Sequence, residues 1–333
     1  MAPTTASESS SRSPLKVFLL VGQSNMQGHG YMNAVNENGE FRNGTLEWMV
    51  QTDPARYGKL KDRTGNWTER SDVWISYNRQ RIDNVRLEMN QYGVLVPGYG
   101  GDPGQKDQMG PELGFGWTVA QAIKEQILLI KIAWGGRSLA VDYRPPSSGG
   151  VTGLYYESMI ANTYKTLAML DKMFPDYADE YGSYELSGFV WHQGWNDGCD
   201  MNMAKEYEFN LANLIRDIRT DLSAPALPVS IGVSGMAGYV HNDRRDAIIA
   251  AQFAVANATK YPEFAGNVAS VETRSFCRPP LPGSPGNQVY HWYNNCETYW
   301  LIGQAMGEAM VDLISNAKAA TDHSLPGIKK SIS

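Results

Sequence analysis

Short apolar runs alternate with amphipathic stretches along almost the whole chain, and this alternation restricts the fold more than any other feature. Residues 15–21, 127–133, 186–191, 227–234 and 268–271 are rich in Val, Ile and Leu, the pattern of short strands buried on both faces. The segments 114–125, 155–173, 203–222, 243–260 and 297–319 carry apolar residues at helical spacing. In 203–222, Tyr207, Leu211, Leu214, Ile215 and Ile218 share one face while Lys205, Arg216 and Asp217 lie elsewhere. Parallel strands need crossover connections, so the expected architecture is a three-layer αβα sandwich with a central, mostly parallel sheet. Ligand-binding loops in such folds gather at the carboxyl ends of the strands. A single domain is expected over 15–319, with a polar N-terminal tail over 1–14 and a C-terminal tail over 320–333.

Two long segments, 27–104 and 276–295, break the alternation. They are rich in Gly and in aromatic residues such as Trp48, Trp67, Trp74, Tyr77 and Tyr99, and they read as insertions packed as ligand-facing loops.

Composition narrows the partners. Lys+Arg 29 against Asp+Glu 35 leaves a net charge of −6, which argues against the basic surface that non-specific nucleic-acid binding requires. No apolar run reaches the ~18 residues of a membrane span, and residues 1–14 are polar rather than the apolar core of a signal peptide. The chain therefore reads as soluble, with no signal peptide visible. Three N-x-[ST] triplets, at Asn43, Asn66 and Asn257, leave the compartment open, and the oligomeric state is open too. Cys199, Cys277 and Cys296 allow one bridge at most and form no CxxC pair. No metal-ligand spacing or phosphate-binding glycine motif follows a strand, so no cofactor is expected.

Three segments place reactive side chains at the predicted carboxyl edge. Gly22-Gln23-Ser24-Asn25-Met26 follows the first apolar run, which sets Ser24 on a strand-to-helix turn as either a helix cap or a nucleophile. His192-Gln193-Gly194-Trp195-Asn196-Asp197 ends the third run, either as an ordinary polar turn or as part of a site. Tyr290-His291-Trp292 precedes the last amphipathic segment, from where a general base can reach back across the edge. His29 and His241 lie in loops and His323 in a polar tail. Arg144, opening the loop Arg144-Pro145-Pro146-Ser147-Ser148-Gly149-Gly150, either grips a substrate carboxylate or hydroxyls or pairs with a neighbour such as Asp142.

These segments, with Gly110-Pro111-Glu112-Leu113 and the block from Ile130 to Leu139 that contains Trp134-Gly135-Gly136-Arg137, resemble the sialate O-acetylesterase and acetylxylan esterase group of the SGNH hydrolases, the carbohydrate esterase family 6-like or SASA domain. The resemblance covers roughly residues 15 to 315. It implies that Ser24 attacks an ester carbonyl to form a covalent acyl-enzyme and that His291 takes its proton. The Ser24 and Gly136 N–H groups and the Gln193 amide would hold the oxyanion, with Asn196 a second candidate. Two positions depart from the family pattern. Trp195 stands where many members carry Glu after His-Gln-Gly, and Gln288 stands three residues before His291, where other SGNH hydrolases carry Asp. The orienting acid is accordingly assigned to Asp197, with Glu272 as the alternative, or to no carboxylate at all in a Ser–His dyad held by a backbone carbonyl or an amide. The implied function is removal of O-acetyl groups from a carbohydrate, sialic acid or an acetylated xylan-type sugar, without a cofactor. Trp195 motivates a second reading, a non-catalytic carbohydrate-binding homologue of the same fold.

Overall fold

The strand Leu15–Gly22 (β1) runs through the middle of the sheet, and all of its residues except Lys16 are buried. The computed structural model describes residues 12–81 and 90–324. The other strands of the main sheet are β2 (Arg70–Tyr77), β3 (Gln91–Leu95), β4 (Ile127–Ala133), β5 (Tyr184–His192), β6 (Val229–Gly232) and β7 (Val268–Val271). Their order is β3-β2-β4-β1-β5-β6-β7, and every neighbouring pair is parallel except β2 with the edge strand β3. The chain builds one half of the sheet to the left of β1 and the other to its right, so the order reverses at β1, where open α/β sheets form their ligand crevice. Register then levels the site. Gly22 at the end of β1 pairs with Ala133 of β4 on one side and His192 of β5 on the other.

Alternation along β1 divides the core between two layers. Leu15, Val17, Leu19 and Val21 pack with residues of helices α3 (Leu154–Leu167), α4 (Met201–Asp221) and α5 (Asp243–Val255). Phe18 and Leu20 pack on the other face with α2 (Pro111–Ala122) and α6 (Cys296–Ser324). Glycines let α2 and α6 approach closely: a Cβ at Gly114 would lie 2.2 Å from the Trp300 carbonyl oxygen, and one at Gly303 would lie 2.0 Å from that of Pro111. Pro111 opens α2 in its first turn, where its missing N–H costs nothing. At the start of α4 the Asp200 carboxylate accepts from the N–H groups of Asn202 and Met203.

The segment 27–104 differs from its reading as one insertion. It holds β2 and β3, which raise the main sheet from five strands to seven. Neither announced itself, because β2 begins with the polar Arg70-Ser71-Asp72 and β3, a partly exposed edge strand, reads Gln-Tyr-Gly-Val-Leu. Residues 30–31 and 108–109 add a two-stranded antiparallel ribbon. Of the expected tails, residues 1–11 and 325–333 lie outside the described residues, while α6 continues past 319 to Ser324. Cys199, Cys277 and Cys296 are all free thiols. No described helix is long and apolar enough to cross a membrane.

Candidate active site

Beyond β1 the chain turns at once into the single-turn helix α1 (Ser24–Gln27). The turn is tight: a Cβ on Gly22 would lie 2.1 Å from the His192 carbonyl oxygen. The two residues flanking Ser24 reach opposite ways. Gln23 Oε1 accepts from the N–H groups of Gly194 (3.2 Å) and Asn196 (3.3 Å), fastening the turn after β5. Asn25 Nδ2 donates to the Tyr290 carbonyl at 2.9 Å, and its Oδ1 accepts from the Tyr299 hydroxyl at 2.9 Å. That hydroxyl also reaches the His291 carbonyl at 3.3 Å. Ser24 thus sits between two loops that its neighbours hold in place, 8% exposed, with neither its hydroxyl nor its N–H engaged among the described hydrogen bonds.

Ser24, Gly135, Gly136, Asn196 and His291 line one cleft of about 380 Å³ at the carboxyl edge of the sheet, together with Gln23, Gln27, His29, Trp195 and Tyr290. Gly136 is left-handed, with φ of 68°, a conformation that glycine adopts without steric cost. Its N–H is unengaged among the described hydrogen bonds, and its carbonyl accepts from Asn196 Nδ2 at 2.7 Å. An amide nitrogen carries two hydrogens, so Asn196 Nδ2 keeps a second hydrogen beyond that bond, and Ser24, Gly136 and Asn196 all line the cleft.

Gln193 does not join them. It is 1% exposed, its Nε2 donates to the Arg137 carbonyl at 3.0 Å and to Asp197 Oδ2 at 2.6 Å, and its Oε1 accepts from the Tyr207 hydroxyl at 2.8 Å. Both amide hydrogens are spent on holding the site's floor. Asp197 likewise departs from its expected place beside His291. Its buried carboxylate accepts from the N–H of Leu139 (2.9 Å), the N–H of Ala140 (2.9 Å) and Gln193, pinning the turn after β4 to the turn after β5. Burial lifts its carboxyl to about 6 against the pull of those donors. Glu272 is held by Arg274, with Nη2 to Oε2 at 2.5 Å. Arg144 does not face the cleft: its guanidinium donates to the carbonyls of Ala140, Ser148 and Gly149 and pairs with Glu206 at 2.9 Å rather than with Asp142. Its polar loop spends the charge on its own geometry.

His291 is half-buried at the tip of a turn whose next three residues, Trp292, Tyr293 and Asn294, all have positive φ of 52°, 56° and 61°. Left-handed Trp and Tyr are costly outliers. The surroundings enforce them, because Trp292 is fully buried and Asn294 Nδ2 donates to the His29 carbonyl at 2.9 Å. The partner of the His291 ring is Gln288, whose Oε1 lies 3.1 Å from Nδ1. An oxygen there accepts Nδ1–H and leaves the Nε2 lone pair free. Burial lowers His291 from 6.5 to about 4. His192, by contrast, is fully buried with Nδ1 2.9 Å from the Gly232 carbonyl oxygen, outside the cleft lining.

The sequence gives no sign of the parts taken by the Gln23, Asn25 and His29 side chains, although the first two stand inside the pentapeptide around Ser24. Gln288, three residues before His291 where other SGNH hydrolases carry Asp, supplies an amide of the kind the dyad alternative allows.

Fold and cleft together define an α/β protein with a cleft at the switch point of a mostly parallel sheet. A profile of the family "Carbohydrate esterase, sialic acid-specific acetylesterase" matches residues 14–262. The chain belongs to this carbohydrate esterase family. It is similar to a probable carbohydrate esterase of Arabidopsis thaliana, 33% identical over 61 residues, which are 18% of this chain and 24% of that protein. The matched segment thus spans about a quarter of that relative's length. The fold is similar to a solved Arabidopsis thaliana structure (TM-score 0.55, 19% identity, 90% of this chain and 98% of that one). It is also similar to NanS (TM-score 0.52, 12% identity, 93% and 99%). A carbohydrate acetylesterase from Xanthomonas citri gives TM-score 0.50 at 13% identity over 90% of this chain and 56% of that one.

Proposed function

We propose that the protein is a serine esterase that removes O-acetyl groups from a carbohydrate through a covalent acyl-enzyme. The observation that carries this reading is the single cleft lined by Ser24, Gly136, Asn196 and His291 at the carboxyl edge of the sheet. Family membership supports an O-acetylated carbohydrate as the substrate class; within it the reading takes sialic acid or an acetylated xylan-type unit as the sugar.

In this reading the Ser24 hydroxyl adds to the acetyl carbonyl while His291 Nε2 takes its proton. Gln288 keeps the ring in the tautomer that can do so. The Ser24 and Gly136 N–H groups and the second Asn196 Nδ2 hydrogen receive the oxyanion, and as the acetyl C–O bond to the sugar breaks His291 gives its proton to the departing sugar oxygen, which leaves as a hydroxyl. Water then repeats the sequence on the acyl-enzyme. A neutral amide fixes the tautomer but offers the imidazolium no opposite charge, so this base stays weak. Trp195 and Tyr290, with ring centroids 5.6 Å apart at the cleft, are in this reading the rings that a sugar packs against.

The test is acetate release from an O-acetylated sugar, followed against pH. Wild type should release acetate, and Asn196→Ala should lower kcat by about 10²–10³-fold, the usual cost of one oxyanion donor. His291 works unprotonated and is lowered to about 4, so its acid limb in kcat/KM should fall near 4 rather than near 6.5, below any limb near 6 from protonation of Asp197. No acetate release from any acetylated sugar or simple acetyl ester would favour the non-catalytic carbohydrate-binding reading, for which Trp195 in the acid position speaks.

A further inference from the structure

His29 has no part in the chemistry above, yet its imidazole lies flat on that of His291, with ring centroids 3.9 Å apart and planes within 12°. Tyr290 meets the His291 ring edge-on, at 4.6 Å and 71°. Beyond these two rings, the His291 side chain is held, among the described residues, by one hydrogen bond that it donates to the exposed Gln288. A lone bond to an exposed amide leaves the ring free to pivot about that bond, and a flat partner across one face removes the freedom.

His29 is itself fixed. Its carbonyl accepts from Asn294 Nδ2, which belongs to the left-handed turn after His291. Its Nε2 is buried without a hydrogen-bond partner among the described residues, and the Gln108 side chain of the two-stranded ribbon lies near the ring. The charged and titratable groups that face it are His291, Lys131 of β4 and Arg79 beyond β2, with Tyr299 of α6 against its backbone. Burial and these cationic neighbours lower His29 from 6.5 to about 3, so the ring is neutral wherever His291 is neutral.

We propose that His29 is a positioning residue: stacked on His291, it fixes the plane of the base and keeps water off one of its faces, where the described residues provide no carboxylate to do the orienting. The assignment rests on His291 being the base.

The experiment compares His29→Ala, His29→Leu and His29→Phe by acetyl-ester kinetics and by NMR titration of His291. Opening the face to water in the Ala and Leu variants raises the His291 midpoint from about 4 toward 6.5. The acid limb of kcat/KM should move up with it, and kcat should fall by about tenfold or more with KM within about twofold, as expected when a base is misplaced while substrate binding is kept. The Phe variant, which keeps a flat ring, should retain the wild-type midpoint and most of kcat. Leu restores only part of the volume and, branched rather than flat, leaves water a path to the ring face, so it serves where Ala fails to fold. A merely structural role would lower the melting temperature in all three without separating Phe from Leu. Equal midpoints and equal kcat for Phe and Leu would overturn the proposal. The NMR midpoint needs no turnover: a midpoint that moves in Leu but not in Phe, in a protein that hydrolyses nothing, keeps the stack and removes His291 as the base.

Discussion

Ser24→Ala should abolish measurable turnover, lowering kcat for a simple acetyl ester by about 10⁴-fold or more, while the melting temperature stays within a few degrees of wild type. The hydroxyl enters no described hydrogen bond, so its loss leaves no orphaned partner. The neighbours Gln23 and Asn25, which do clip the loops, are untouched. His291→Ala should cost a similar factor, because nucleophile and base act as one unit and removing either removes both. His192→Ala should instead act on stability: its ring is fully buried and its Nδ1 meets the Gly232 carbonyl oxygen. A Ser24→Ala variant that folds and keeps turnover near wild type would end the serine mechanism.

The second large effect lies beneath the cleft. Lys131, in the middle of β4, and Glu112, in the first turn of α2, are 0% and 1% exposed and pair at 2.7 Å. Lys131 Nζ also donates to the carbonyls of Gln27 and Tyr99, both at 2.6 Å, and Glu112 Oε1 accepts from the Gly110 N–H at 2.8 Å. The ammonium therefore holds the end of α1, the helix that carries Ser24. Breaking a buried pair by removing one partner leaves an uncompensated charge, at about 3–5 kcal/mol. Glu112→Gln should destabilise by that amount at neutral pH in a denaturant titration. In the variant, burial without the carboxylate holds Lys131 further below its ordinary 10.5. The folded chain then prefers the neutral amine while the unfolded chain keeps the charge, so the penalty should shrink as pH rises toward 10.5. A loss below about 1 kcal/mol, within the range of exposed pairs, would contradict the account of this pair.

What the sequence made legible follows from how each feature is encoded. The five apolar runs stand out because strands buried on both faces need continuous Val, Ile and Leu, and they appear as β1, β4, β5, β6 and β7. The edge strand β3 needs no such run, being partly exposed, and in β2 the buried stretch from Val73 to Tyr77 follows the polar Arg70-Ser71-Asp72 and is broken by Ser76, so neither stands out inside 27–104. At the cleft, Ser24, Gly136, Asn196 and His291 come together because each follows a strand or precedes the last helix at the levelled edge. Asp197 and Gln193 were misplaced for one reason. Both stand one or two residues from the cleft on a tight turn, and sequence proximity does not tell which way a side chain points. Asp197 turns inward to three donors and Gln193 turns with it. Gln288 was visible as the absence of an Asp, and the same spacing that would bring a carboxylate to Nδ1 brings an amide oxygen instead.

The central claim is that Ser24 is an activated nucleophile, and covalent labelling with a fluorophosphonate addresses it without knowledge of the sugar. The serine oxygen displaces fluoride from phosphorus only when a base takes its proton in place. The account predicts one adduct per chain, mapped by peptide mass spectrometry to Ser24, absent from Ser24→Ala and slowed in His291→Ala. An unlabelled Ser24 in the folded wild-type protein, or an adduct on another serine that Ser24→Ala does not remove, would contradict it.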